Sequence, residues 1–353
     1  MFSKKVFCSL WLALTMSGAS FADTFVLNPS APERYTVVKG DTLWGISAAY
    51  LRDPWLWPEI WQINPEIENP HLIYPGDIIA LTYDKDGRPR LSIQSRARPT
   101  VKMSPKVRET RIDNAISPIP TDAIQQFLTR ASIVSKEEYD QAPYIVAFQE
   151  DRITASTDNK AYVRDLKDSD AKRYTIVRLG EPYRNPGAKR NDILGYEAIE
   201  VANARLIKTG DPSTFIITDL NREVLLGDRL FPAKDINEQL SYMPHAPKND
   251  IAGLIISVLD GVSRIGQYHV VVINVGENES LEPGHVLEVY QSGRTVRDTF
   301  SNKKGHARVV TLPDERAGII MVFRTFSKVS YALVMSATQD MRLYDKVKTP
   351  ISE

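Results

Sequence analysis

Tyr35-Thr-Val-Val-Lys-Gly-Asp-Thr-Leu-Trp-Gly-Ile46 decides how the chain begins to fold. Tyr35 to Val38 is a short β-rich run that Gly40 stops. Asp41 is a good N-cap residue and predicts a helix starting at Thr42. Leu43, Ile46 and Tyr50 then fall on one stripe of that helix. Asp53-Pro54 ends it, because a residue preceding proline is pushed out of the helical region. Pro58 is tolerated in the first turn of a second helix, with Trp57, Ile60 and Trp61 on one face. Asn64-Pro65 closes that helix, and Pro75-Gly76 turns the chain into a last strand, Ile78 to Thr82. The predicted order over residues 34–83 is strand, helix, helix, strand.

This order resembles the LysM module, a family that binds N-acetylglucosamine-containing glycans such as peptidoglycan and chitin. The motifs that carry the resemblance are the opening Tyr35-Thr-Val-Val-Lys-Gly-Asp-Thr-Leu, Ile63-Asn64-Pro65, and Asn69-Pro-His-Leu-Ile-Tyr-Pro-Gly-Asp. Asp53-Pro-Trp-Leu-Trp-Pro-Glu-Ile-Trp departs from the commonest pattern and looks like a proteobacterial variant. The resemblance implies a shallow groove between two loops. One holds Gly40, Asp41, Thr42 and Leu43; the other holds Pro70, His71, Leu72 and Ile73. Backbone amides and an aliphatic side chain there suit the carbonyl and methyl of an N-acetyl group, and Gly40 permits close backbone approach. Structural roles compete with these assignments: Asp41 as helix cap, Leu43 as core, His71 as a solvated loop residue. Helical spacing puts Trp57 and Trp61 in the module's core, leaving Trp55 as the exposed tryptophan.

Working outward, residues 1–22 have the three-part form of a secretory signal peptide. Lys4 and Lys5 precede the apolar run Val6 to Met16, and Ser20-Phe21-Ala22 offers a cleavage site. Export to the periplasm of a Gram-negative envelope is the expectation. Cys8, the single cysteine, lies inside this segment, so the mature chain is expected to lack thiol chemistry, disulfides and cysteine-based metal sites.

The formal charge of zero, 44 basic against 44 acidic residues, argues against a general nucleic-acid binder. It conceals unlike parts. Segment 35–82 holds two basic and six acidic residues, whereas nine basic and three acidic residues lie between Asp84 and Arg111. Prolines at 89, 99 and 105 and the lack of periodicity predict a basic flexible linker over residues 84–120. Membrane contact is expected only through this linker, by salt-sensitive attraction to anionic headgroups. A short helix is expected after it, with Ile124, Phe127, Leu128 and Ala131 on one face.

Beyond the linker the chain reads as β-rich and internally repeated. Arg205 to Leu230 and Val322 to Val347 align without gaps, pairing Ser213 with Ser330, Leu226 with Leu343, and Asp228 with Asp345. Two tandem β-domains are predicted, 121–240 and 249–350, as open barrels or sandwiches. The fold class expected is thus an α+β module followed by a mostly β tandem-repeat region. Pro283-Gly284 marks a type II turn.

No short histidine-ligand spacing and no nucleophile motif is present, so no metal, cofactor or catalytic residue is expected. His269 and His285 lie on neighbouring predicted strands and could meet. The function expected is non-catalytic peptidoglycan binding, with the β-domains engaging another envelope component through exposed strand edges. The alternatives are a wall hydrolase or lyase with an unfamiliar active site, and a structural envelope spacer.

Overall fold

Thr42, not Asp41, opens the first helix. Its Oγ1 accepts from the Gly45 amide at 3.0 Å, and helix α1 runs Leu43–Tyr50. Asp41 instead closes the turn before it, accepting from the Val38 amide at 2.9 Å. The computed structural model describes residues 26–58, 73–83, 85, 87, 89–94, 117–120, 123–124, 127, 131–151, 154–167, 171–187, 192–233, 242–259, 264–298 and 309–350. The predicted signal peptide, most of the second helix with Trp61, and residues 95–116 lie outside them.

The module's sheet has three strands, β1 Arg34–Thr36, β2 Ile78–Tyr83 and β3 Pro89–Gln94, all antiparallel. Strand β3 corrects the expected linker boundary, because Leu91 is fully packed in the module's core. The alternation of Leu91 and Ile93 with polar residues is a half-buried strand pattern, although the surrounding basic residues mask it. Tyr50 ties helix to sheet by donating its hydroxyl to the Ile79 carbonyl at 2.9 Å, and burial pushes its pKa up to about 12.

Two rings of strands follow. The first comprises β4 Ala131–Val134, β5 Tyr144–Phe148, β6 Thr154–Ala155, β7 Lys160–Arg164, β8 Arg173–Arg184, β9 Ile193–Lys208, β10 Ser213–Leu220, β11 Val224–Leu225 and β12 Arg229–Pro232. Helix α2, Lys136–Gln141, follows β4 and carries a Ser135/Glu138 capping box. Strand β9 pairs along one edge with β8 and along the other with β10 and β4. The succession β5-β7-β10-β9-β8-β12 therefore returns to β5.

The second ring comprises β13 Ala252–Val258, β14 Val270–Ile273, β15 Val286–Gln291, β16 Thr295–Arg297, β17 Val309–Thr311, β18 Glu315–Thr325, β19 Ser330–Ala337 and β20 Lys346–Lys348. It is a closed barrel in the order β13-β14-β19-β18-β15-β20, with β16 and β17 forming a separate hairpin. Closure uses up most ladder groups of both rings, whereas β4, at the end of the first sheet, pairs with β9 alone among the described strands and is the edge left for strand addition.

Strands β14, β18 and β19 are apolar on both faces, and the barrel explains why. Val271, Ile273, Ile320, Val322, Ala332 and Val334 belong to the barrel's interior cluster. Their alternate neighbours Val270, Val272, Met321, Phe323, Leu333 and Met335 share a second cluster with Trp44 and Trp55 of the module. The module is thus seated on the outside of the second barrel. Trp55, expected to be exposed, is buried there, while Trp57 fills the module's own core. Asp53 approaches Arg316 of the barrel at 3.9 Å at the rim.

Candidate functional site

The β1–α1 loop is built by Asp41. Its Oδ2 takes the Val38 amide and also the Tyr35 hydroxyl at 3.1 Å. Burial, together with the Asp41 charge, raises the Tyr35 pKa. Gly40 sits at φ +97°, a left-handed conformation that L side chains rarely adopt. Asp41 is therefore the brace of the loop. Thr42 caps the helix. Leu43 is fully buried in the module's core, so its side chain does not face a ligand.

The second loop is described only at its end. Pro70, His71 and Leu72 lie outside the described residues, and Ile73 is buried against the same core as Leu43. The turn after it is held beside the first loop. Gly76 donates to the Val37 carbonyl at 2.7 Å, and Val37 donates to that of Asp77 at 2.9 Å. This leaves the exposed Val38 and Tyr74 flanking the two loops. Tyr74 was legible in the sequence as the aromatic of the last motif, and sequence reasoning passed over it.

Ser117 and Pro118 were also missed. The Leu43 amide donates to the Ser117 carbonyl and the Trp44 amide to the Pro118 carbonyl, each at 3.0 Å. Thr42 and Ser117 form a parallel bridge. Ile119, next in sequence, is buried in the cluster with Trp44 and Trp55. A contact spanning more than seventy residues leaves no local signal in sequence.

His285 meets His245, not His269. The rings lie 4.7 Å apart edge to face, and a parallel bridge joins the two residues. Gly284, at φ +100°, makes the approach feasible, since a Cβ there would fall 2.7 Å from the Met243 carbonyl oxygen. The Glu282 carboxylate completes a group whose ligand atoms lie within 4.8 Å of one another. His245 Nδ1 pairs with the Met243 carbonyl at 2.9 Å. His285 Nδ1 accepts from the Glu282 amide at 3.0 Å, which places the proton of the neutral ring on Nε2. A cation could take His285 only by breaking that bond or removing that proton. The pair is arranged as a clasp between the inter-barrel connector and the second barrel.

A cleft of about 1700 Å³ opens along the first ring and the β18–β19 turn of the second, with Arg173, Glu200, Asn203, Asp219 and Glu277 among its lining residues. At the junction, Arg324 and Tyr242 are largely buried, and burial pushes the Tyr242 pKa up to about 12.

The LysM domain family model matches residues 35–82. An uncharacterized protein, YqbP of Bacillus subtilis (strain 168), is 40% identical over 57 residues, covering 13% of this chain and 26% of that protein. The chain thus spans about a quarter of the length of this relative. The protein carries a LysM domain on a mostly β framework, and LysM domains bind peptidoglycan- and chitin-type glycans, which supports a cell-wall binding role.

Proposed function

We propose that the protein is an exported, non-catalytic glycan-binding protein of the cell envelope, whose LysM domain docks on peptidoglycan through the loops at residues 40–43 and 70–73. The observation that carries this reading is the match at residues 35–82 together with the braced β1–α1 loop. The loop presents backbone and the small side chains of Gly40 and Thr42, its Asp41 carboxylate being taken up by Val38 and Tyr35, which favours shallow recognition of N-acetyl groups over chemistry. Affinity for one sugar is modest and rises on polymeric wall, where many sites are adjacent.

The two rings are read as copies of one six-stranded unit, spanning 121–240 and 249–350. Numbering strands by sequence within each ring, both follow the cyclic order first, second, fifth, fourth, third, sixth. The β6–β11 pair in the first has its counterpart in the bridge between Ile265 and Met341 in the second. Their role in this reading is to present the LysM domain and to engage a second envelope component. Leu226 and Leu343, equivalent and exposed in the two rings, are among the apolar side chains available for that contact.

The test is co-sedimentation of the full chain with purified sacculi, competed by soluble N-acetylglucosamine oligomers, with muropeptide release followed in the same tubes. Pelleting relieved by the oligomers without release supports the reading. Release of muropeptides would assign the protein to wall hydrolysis instead.

A further inference from the structure

We propose that the Ser117–Ile119 strap is a built-in competitor of the LysM site, so that glycan binding and undocking of the strap are one equilibrium. This rests on the glycan reading above and concerns how that site is regulated.

The first turn of a helix leaves amides without intrahelical acceptors. In α1 the Gly45 amide is met by the Thr42 side chain, which leaves those of Leu43 and Trp44 to be met from outside the helix. The chain's own carbonyls, from Ser117 and Pro118, meet both at 3.0 Å. A peptide carbonyl and the acetamide carbonyl of an N-acetyl sugar are the same acceptor chemically. The strap therefore puts at the loop the group that the glycan would bring. Residue 117 precedes proline, which favours the extended backbone needed to present successive carbonyls.

The strap is also pinned. Ile119 and Ile124 are buried with Trp44 and Trp55 and with Phe323, Tyr331 and Leu333 of the second barrel. Leaving the amides means withdrawing Ile119 from that cluster, so occupancy of the loop is coupled to docking of the module on the barrel. When only the open fraction can bind, apparent affinity falls in proportion to that fraction.

The decisive variant is Thr42→Cys with Ser117→Cys, in a background where Cys8, the only cysteine, is Ser. The bridge partners sit side by side, so oxidation locks the strap and reduction frees it within one protein. Binding of the N-acetylglucosamine tetramer should be at least about tenfold weaker oxidised than reduced. Independently, Ile119→Glu in the full chain should bind the tetramer more tightly than the parent. The Leu43 and Trp44 amides, protected from hydrogen exchange in the parent, should lose protection in that variant.

Equal affinity of oxidised and reduced forms, or unprotected amides in the parent, would overturn the proposal. If the two amides behave as strapped but neither the parent nor Ile119→Glu binds the tetramer, the glycan reading itself fails. The strap is then structural only.

Discussion

Asp228 and Asp345 make the same kinds of backbone contact in the two rings and differ in how their charge is met. Each carboxylate accepts from the backbone amide three residues earlier, Leu225 or Arg342, at 2.8 Å. Each carbonyl accepts at 3.0 Å from an isoleucine amide, Ile145 on β5 or Ile255 on β13. Arg178 reaches Asp228 with two hydrogen bonds of 2.8 Å. Burial holds the Asp345 carboxyl above the usual carboxylate range, with the Arg342 amide and charge opposing it. Asp228→Asn, which breaks the bidentate pair, should cost about 2 kcal/mol. Asp345→Asn keeps the amide contact and should change stability by less than about 0.5 kcal/mol at neutral pH. The wild-type carboxyl favours the fold at low pH, and that contribution is lost as pH rises through its raised folded value. Urea unfolding of both variants across pH checks the pair, and equal losses at neutral pH would refute the contrast.

The histidine clasp predicts acid sensitivity. Burial first, then the neighbouring His245, lowers the His285 pKa below its ordinary 6.5, while Glu282 acts in the opposite direction. Below about 6.5 the unfolded chain takes up a proton that the folded site resists, so stability is lost as pH falls from there through the folded value. His285→Asn supplies an oxygen where Nδ1 now accepts from the Glu282 amide. Its unfolding midpoint should fall less than that of wild type between pH 7 and about 5. A parallel fall in both proteins would remove His285 as the cause.

What was legible in the sequence followed from local rules. Proline, glycine and alternation located the module's first strand, first helix and strand β2, and Pro283-Gly284 forms the expected turn, with the His285 amide bonded to the Glu282 carbonyl at 3.1 Å. The apolar runs Val270–Ile273 and Tyr331–Met335 lie in strands buried on both faces, and nothing local in them says what covers the second face. Trp55, Ile119 and His245 were misread or missed for that reason. Each is buried or paired by a partner far along the chain, and no periodicity encodes such a partner. The third strand of the module was hidden by charge: Arg88 and Arg90 made residues 84–94 look like a tether.

Thr42 and Asp41 share the work the sequence assigned to Asp41 alone. Thr42→Ala removes the cap on the Gly45 amide and should cost about 1 kcal/mol, with Thr42→Ser restoring most of it. Asp41→Ala removes the acceptor of both Val38 and Tyr35 and should cost more, about 2 kcal/mol. Thermal unfolding of the three variants orders them. If Asp41→Ala proves the milder of the two alanine variants, the brace assigned to its carboxylate is wrong.

The seat of the LysM domain on the barrel can be opened from the barrel side. Phe323 is buried in the cluster that holds Trp44 and Trp55, and its neighbours Ile320 and Val322 fill the barrel interior instead. Phe323→Glu places a charge on the shared face alone, at a cost of several kcal/mol if the face stays closed. Separation of module from barrel is the cheaper response, because the interior cluster is left intact. Trp44 and Trp55 then meet water. Tryptophan emission should shift to the red and acrylamide quenching should rise, while the far-ultraviolet β signal is retained. Phe323→Leu, which keeps the face apolar, should leave both readouts near wild type. If Phe323→Glu unfolds the barrel together with the module, the two are a single cooperative unit and not a domain on a seat.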